Sequence, residues 1–227
     1  MTDQQRQWWM DAEQVVGRVV QGLTDEELAA DSGLPGWSRA HVVAHLSRNA
    51  DALVNLLTWA RTGVETPMYP SRAVRDADID ATAARPPAEV RADNAAARER
   101  LARAVDELPD EAWSAEVRNG QGVPVQTSLV PFMRAKEVWV HGVDLRAGLS
   151  FADLPEDFCT ALVDDVLGLF ARREQALDVT VVATGVYRTW GDGGIRVEGP
   201  VSAVAAWLTR SDASGLHGDV PPPPAWL

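Results

Sequence analysis

The sequence predicts an α+β protein, with a four-helix bundle over residues 1–150 and a small α+β domain over residues 151–227. Two observations support this fold class. Apolar residues recur at helical spacing in long segments of the first part, whereas short β-branched segments between turn residues appear only after residue 150. The chain of 227 residues is 46% hydrophobic and 24% charged, which is enough for one large or two small globular domains.

The helices of the bundle follow from apolar stripes and from the residues at their ends. They are predicted at residues 5–22, 39–62, 87–107 and 126–147. Ser38 is the expected N-cap of the second helix, and Pro109 and Gly148 lie just beyond the third and fourth. Residues 63–86 are rich in proline and show no long period, so we expect a long crossover connection. Long helices joined by one such crossover are typical of a four-helix bundle.

The second part combines helices with short strands. The predicted elements are a helix at 155–173, a strand at 178–184, a hairpin whose strands are 186–190 and 195–198, and a helix at 200–210. The hairpin prediction depends on the glycine-rich turn from Gly191 to Gly194. These elements indicate a small mixed domain.

Composition excludes several classes of function. The net charge of −12 argues against a nucleic-acid partner, because binding to phosphates needs clustered Lys and Arg. No apolar run approaches the ~18 residues of a membrane span, and the first residues do not resemble a signal peptide, so we expect a cytoplasmic protein with no membrane partner. The single Cys159 excludes an internal disulfide framework and a cysteine-rich metal site, and its place on an apolar helix face favours packing.

Two polar residues lie on the inward stripe of the predicted fourth helix. Glu137 and His141 are at positions i and i+4, so their side chains lie one above the other on a single face. A buried carboxylate needs a strong partner, and a pair of this type that points into a bundle can hold a divalent metal. The alternative is a helix salt bridge between Glu137 and a partly exposed His141.

The second helix offers a third ligand. His45 lies beside its apolar stripe and can complete a site with Glu137 and His141 if the two helices face each other. Two imidazoles and one carboxylate, with a fourth position open, form a common pattern for catalytic zinc, although nickel, cobalt or iron would also accept it. His41, one turn earlier, is the competing ligand, and the stripe places it further from the core.

The segments that carry these residues resemble the mycothiol-dependent maleylpyruvate isomerases, within the wider group of DinB-like thiol-dependent metal enzymes. The matching stretches are LPGWSRAHVVAHLSRNADAL at 34–53, PMYPSR at 67–72, RAKEVWVHGVDL at 134–145 and AWLTRSDASGL at 206–216. The resemblance implies a DinB-like four-helix bundle followed by a domain related in shape to sterol carrier proteins.

The resemblance also implies roles for individual residues. The implied metal is zinc, held by His45, Glu137 and His141, the same three residues that the apolar stripes indicate. The C-terminal domain of the family contributes an arginine from a Trp-Leu-x-Gly-Arg motif, which corresponds to Arg210 as a catalytic residue. Thr209 stands where the family usually has glycine.

The implied reaction converts maleylpyruvate, or a related cis-enoyl acid, into fumarylpyruvate. The zinc-activated thiolate of mycothiol adds to the C=C bond, the resulting single bond rotates, and elimination gives the trans isomer. The protein need not supply a nucleophile of its own. The implied partners are therefore a low-molecular-weight thiol and a small dicarboxylate, bound by a monomer or a weak homo-oligomer.

Further residues are candidates for binding these partners. A dianionic substrate needs local arginines in a protein of net negative charge, and Arg72 and Arg75 on the crossover are candidates beside Arg210. Asn49, one turn from His45, is expected to contact the bound thiol, and Tyr69 is expected to close over the site.

Two other functions stay open at this point. A mycothiol S-transferase would use the same metal site and release the thiol adduct of an electrophile. A non-enzymatic stress-response binding module would carry the metal site as a relic, although the presence of all three ligands argues against this.

Overall fold

Two units make up the chain in the computed structural model, which describes residues 2–226. They are Met1–Gly148 and Leu149–Leu227. The division into a metal-binding four-helix bundle at 1–150 and a small α+β domain at 151–227 stays a prediction. Within the described residues, no helix is both long and apolar enough to cross a membrane.

The first unit is helical. Its helices are α1 (Asp3–Gly22), α2 (Asp25–Ala29), α3 (Arg39–Thr62), α4 (Arg72–Ala83), α5 (Pro87–Asp106) and α6 (Val130–Asp144). The long helices form the predicted bundle: α3 packs against both α5 and α6, and α1 packs against α6. Alanine, valine and leucine side chains fill the space between them, and Leu53 and Leu56 of α3 are completely buried.

The N-terminus of α3 shows why this helix begins where the sequence predicts. The Ser38 hydroxyl accepts a hydrogen bond from the backbone N–H of His41, and the His41 imidazole accepts one from the backbone N–H of Ser38. This reciprocal capping satisfies donors that the first turn of a helix leaves unpaired. At the other end, Gly63 adopts a left-handed conformation and stops the helix.

Two predictions for this unit are wrong. The crossover at 63–86 contains the helix α4, whose few buried residues, Ile79 and Thr82, give too weak a period to detect. The fourth bundle helix begins at Val130 and not at 126, because an antiparallel pair of strands, β1 (Glu116–Arg118) and β2 (Pro124–Gln126), precedes it. Pro131 then occupies the first turn of α6, where a missing backbone N–H is tolerated.

The second unit combines two helices with a mixed sheet. Its elements are α7 (Glu156–Arg172), β3 (Val179–Thr184), β4 (Arg188–Trp190), β5 (Ile195–Pro200) and α8 (Val201–Arg210). The strand order is β4-β3-β5, and α7 packs against α8. Alternate residues of β3 are buried.

The predicted hairpin between 186–190 and 195–198 is wrong. β4 pairs antiparallel with β3, and β5 pairs parallel with the opposite edge of β3. The turn from Gly191 to Gly194 therefore passes the start of β3, where the N–H of Gly193 donates to the carbonyl of Val179. A Cβ on Gly193 would lie 2.2 Å from the backbone nitrogen of Val179, so glycine is needed for this close approach.

Candidate metal centre

His45 of α3 and Glu137 and His141 of α6 form one cluster. Their potential ligand atoms all lie within 4.8 Å of one another. Glu137 Oε2 lies 2.9 Å from His45 Nε2 and 3.5 Å from His141 Nε2. The two imidazoles are buried and meet edge to face with ring centroids 4.6 Å apart, while the Glu137 side chain is 23% exposed.

The distances and donor types suit a divalent cation. Two ligand atoms at about 2.1 Å from a tetrahedral ion lie about 3.4 Å apart, which agrees with the 3.5 Å between Glu137 and His141 and is longer than the 2.9 Å hydrogen bond between Glu137 and His45. Two imidazole nitrogens and one carboxylate oxygen are the donor set of many catalytic zinc sites, with one position left for water or a substrate. The cluster therefore fits a metal of this class.

Asp144 supports the cluster from behind His141. The Nδ1 atom of His141 lies 2.8 Å from Asp144 Oδ2, and both side chains are buried. A carboxylate accepts, so Nδ1 carries the proton and Nε2 faces Glu137. A carboxylate behind a histidine in this way orients the ring and increases its basicity as a metal ligand.

The cluster shifts the pKa of each member. Burial alone would raise the pKa of Glu137, but hydrogen bonds from His141 and His45 hold it well below its ordinary value. Burial and the neighbouring His141 lower the pKa of His45 to about 4, so this imidazole is neutral at pH 7. Burial opposes a charge on His141, but hydrogen bonds to Asp144 and Glu137 outweigh it and raise its pKa.

Arg75 lies beside His45, and Tyr69 lies beside Arg75. Arg75 Nη2 donates to His45 Nδ1 over 3.1 Å, and its guanidinium carbon lies 5.9 Å from the centroid of the Tyr69 ring. Since a guanidinium only donates, His45 Nδ1 accepts, and its Nε2 carries the proton toward Glu137. A cation at Nε2 would require the neutral ring to carry its proton on Nδ1, and Nδ1 would then no longer accept from Arg75. Burial, followed by the negative charge of Glu137, raises the pKa of Tyr69 to about 12.

The competing ligand His41 lies outside the cluster. Its Nδ1 atom is 2.7 Å from the hydroxyl of Ser38, as part of the helix cap, and its Nε2 atom is 3.8 Å from the exposed Asp80. His41 therefore serves the start of α3, one turn before His45.

Arg72 is not brought to the cluster. Its side chain is 91% exposed in the first turn of α4, and its guanidinium lies 3.9 Å from Asp76. Arg75, about one turn further along α4, contacts His45 instead. Of these two sequence candidates on the crossover, the structure thus brings Arg75 to the cluster and leaves Arg72 exposed.

Asn49 lies one turn beyond His45, as the sequence predicts. Its side chain is buried and has a partner within the protein. Its Oδ1 atom accepts a hydrogen bond of 2.9 Å from Arg134 Nη1 on α6. Contact of Asn49 with a thiol stays a prediction.

Arg210 belongs to the second unit, at the end of α8. Its Nη1 atom donates to the carbonyl of Thr209 over 2.7 Å, and its guanidinium lies 5.6 Å from the ring centroid of Trp226. The Thr209 hydroxyl donates to the carbonyl of Ala205, so the helix continues through the position where glycine is usual. Ser211 takes the left-handed conformation that ends α8. The catalytic role of Arg210 stays a prediction.

The comparisons with known proteins identify the family. The mycothiol maleylpyruvate isomerase N-terminal domain matches residues 9–146. The chain belongs to this family. It is similar over 100% of both chains to two crystal structures of the mycothiol-dependent maleylpyruvate isomerase, one of them a histidine-to-alanine mutant, with 29% and 28% identity and TM-scores of 0.94 and 0.93. No curated protein matches the chain.

Family membership confirms the resemblance predicted from the sequence, and the fold confirms the α+β class with its helical first unit. Sequence reasoning missed two residues in this member of the family. Asp144 follows His141 by three residues and so shares its helix face, which is a detectable signal. The contact of Arg134 with Asn49 joins segments far apart in the chain and has no local signal.

Proposed function

We propose that this protein is a mycothiol-dependent cis–trans isomerase that converts maleylpyruvate, or a related cis-enoyl acid, into its trans isomer. The observation that carries the proposal is the buried cluster of His45, Glu137 and His141, in a chain of this family. Glu137 accepts hydrogen bonds from both imidazoles in this structure, and a metal ion would use the same three side chains as ligands.

We assign a divalent metal to these three residues, with zinc as the first choice from the donor set. When bound, the cation lowers the pKa of a coordinated thiol, so that mycothiol is available as a thiolate near neutral pH. Asp144 holds the His141 ring in place through its hydrogen bond of 2.8 Å. His45 is neutral at pH 7, as a metal ligand must be.

Arg75 is the residue that we assign to a carboxylate of the substrate. Its guanidinium contacts the cluster through His45, and its side chain is 24% exposed, so it is open to a ligand from solvent. A planar guanidinium binds both oxygens of a carboxylate and offsets the net charge of −12 locally. We assign Arg210 to a second carboxylate on the family resemblance alone.

We propose that Tyr69 covers the cluster on the side of Arg75. Its partly buried ring lies against the guanidinium and close enough to Glu137 for the carboxylate charge to affect its phenol. Such a ring limits the access of water, and exclusion of water strengthens the electrostatic interactions in a site. The role of Tyr69 in contact with mycothiol belongs to the same proposal.

The reaction consists of addition to the double bond, rotation about the resulting single bond, and elimination. None of these steps needs a protein nucleophile. Cys159 is not suited to be one, because burial, with Asp157 and Glu156 nearby, raises the pKa of its thiol to about 12.

An ultraviolet assay of metal-quantified protein with maleylpyruvate, with and without mycothiol, tests the proposal. Thiol-dependent formation of fumarylpyruvate that is lost on chelation and restored by zinc would support it. Consumption of mycothiol with accumulation of a thiol adduct would favour the S-transferase. Absence of both reactions in zinc-loaded protein would contradict an enzymatic role in thiol chemistry.

A further inference from the structure

A buried charged network lies next to the cluster, centred on Arg134 of α6. The Arg134 side chain is 1% exposed. Its Nε atom donates to Glu13 Oε1 of α1 over 2.8 Å, and its Nη1 atom donates to the backbone carbonyl of Leu46 over 2.7 Å and to Asn49 Oδ1 over 2.9 Å, both on α3. Arg98 of α5 binds the other oxygen of Glu13 at 2.6 Å. The network thus joins all the long helices of the bundle.

Stability alone does not account for this network. Burial would raise the pKa of Glu13, but the charges of Arg134 and Arg98 outweigh it and hold it low, so the pair is ionised. Desolvation of two buried charges offsets most of their attraction, and well-packed apolar residues often stabilise a protein equally well. A buried ionic group of this kind can instead specify one relative position of the elements that it joins.

The bonds of Arg134 lie directly beside the cluster. Arg134 precedes Glu137 by three residues on α6, while Leu46 and Asn49 follow His45 by one and four residues on α3. One helical turn is about 5.4 Å, so the network connects α3 to α6 within about one turn of the ligands that each helix contributes. His45 and Glu137 are 92 residues apart in the chain, and only helix packing brings them together.

We propose that Arg134 is a positioning residue that sets α3 against α6 so that His45 meets Glu137 and His141 at metal-binding distances. This inference rests on the proposed metal site. A binding constellation must be held within about 0.5 Å, a tolerance that directional hydrogen bonds meet better than apolar contacts between small side chains. Arg134 makes three such bonds, two of them to the helix that supplies His45.

The test measures metal affinity in Arg134→Lys and Asn49→Ala. Lysine keeps the charge but lacks the planar fork, so it cannot direct the same three bonds. Asn49→Ala removes one bond and keeps Arg134, which makes it the informative variant if Arg134→Lys does not fold. Affinity for Zn²⁺ alone is measured by competition with a chelator, without thiol or substrate, and the absorption spectrum of bound Co²⁺ reports the coordination geometry.

We expect Arg134→Lys to bind Zn²⁺ about 10-fold or more weakly, the range found for residues that orient metal ligands, and to change the Co²⁺ spectrum. Asn49→Ala should also weaken Zn²⁺ binding and change the Co²⁺ spectrum, each to a smaller extent. All three proposed metal ligands, and Asp144 and Arg75 that hydrogen-bond to them, are unchanged in these variants, so the loss of affinity would come from the positions of the ligands.

Two controls separate this role from a general contribution to folding. Arg100→Lys disturbs an ion pair between α5 and Asp51 of α3, which resembles the Arg134 contacts but does not involve α6. Leu53→Ala leaves a cavity at a completely buried position of α3 and lowers the melting temperature without touching the network. Both controls should bind Zn²⁺ with the wild-type affinity at a temperature where every variant is folded.

The outcomes distinguish this inference from the proposed function. If the wild-type protein does not bind Zn²⁺, the proposed metal site and this inference are both overturned. If the wild type binds Zn²⁺ and both network variants bind it equally well with an unchanged Co²⁺ spectrum, this inference alone is overturned. It is also overturned if Leu53→Ala loses as much affinity as Arg134→Lys, because the effect would then follow stability.

Discussion

Replacement of Asp144 by asparagine tests whether this carboxylate prepares His141 to bind a metal. The variant keeps the size of the side chain and removes its charge. The hydrogen bond that changes is the one of 2.8 Å between His141 Nδ1 and Asp144 Oδ2, and both groups are buried. Solvent therefore screens the interaction weakly. Its free-energy contribution should lie near the upper end of the range for hydrogen bonds to charged groups.

The size of the effect follows from this single bond. A hydrogen bond to a charged group contributes about 1.5–3 kcal/mol, which corresponds to a factor of about 10–100 in an equilibrium constant. Replacement of residues that orient a metal ligand changes metal affinity over the same range. We therefore expect the dissociation constant of Zn²⁺ to rise about 10–100-fold in Asp144→Asn.

The assay is competition with a zinc chelator at constant pH, and a matched control is available. Asp51→Asn removes a carboxylate from ion pairs with Arg48 and Arg100 in the same bundle, without contact to His141. NMR titration of the metal-free protein gives a second measurement, because loss of the Asp144 carboxylate should lower the raised pKa of His141. A Zn²⁺ affinity within twofold of both wild type and Asp51→Asn would refute the reasoning.

Three further predictions concern the same site. His45→Ala should lose bound metal on dialysis while His41→Ala retains it, because the His41 imidazole caps α3 and lies outside the cluster; metal retention in His45→Ala would show that the ligand assignment is wrong. In the metal-free protein, His45 has a pKa of about 4 when folded, against the ordinary histidine value of 6.5 in the unfolded chain, so the unfolded state binds more protons between these pH values and stability falls as the pH is lowered from 6.5 to 4. The loss in free energy of unfolding that is linked to His45 amounts to about 3 kcal/mol. Urea unfolding between pH 6.5 and 4 should therefore show a shallower pH dependence of stability in His45→Gln than in wild type. Equal pH dependence in the two proteins would contradict this prediction. Arg75→Gln should raise the KM for a dicarboxylate substrate about 10-fold through loss of a charge-assisted contact, while the metal content measured by atomic emission stays constant; an unchanged KM would exclude Arg75 as a carboxylate ligand.

Elements with strong local signals could be predicted from the sequence. The predicted helix at 39–62 coincides with α3, Arg39–Thr62, because Ser38 caps it and Gly63 ends it, and both act within one turn. The helix α4 could not be predicted in this way, since only Ile79 and Thr82 are buried and the helix depends on its packing against α3. Helix propensity and hydrophobic periodicity are weak signals for a helix whose stability comes mainly from tertiary contacts.

Strand pairing shows the same limit in the second unit. The segment with Gly191 and Gly193 joins β4 to β5, but it is not the predicted hairpin turn, because the local sequence does not determine which strands are neighbours. β3 takes the central place, and β5 pairs with it in parallel, so the glycines allow the chain to pass the end of a strand. The order of strands depends on contacts between residues distant in the chain, which a turn signal does not contain.

The features of the candidate site can also be divided into those that follow from local sequence and those that depend on packing. The sequence by itself determined the donor types, the shared face of Glu137 and His141, and the preference for His45 over His41, because helical phase is a local property. Only the tertiary structure decided that Arg75 and not Arg72 contacts His45, and that Arg134 joins α3 to α6. The reason is physical: phase follows from the backbone geometry of one helix, whereas these partners depend on how several helices pack, and packing is a property of the whole chain.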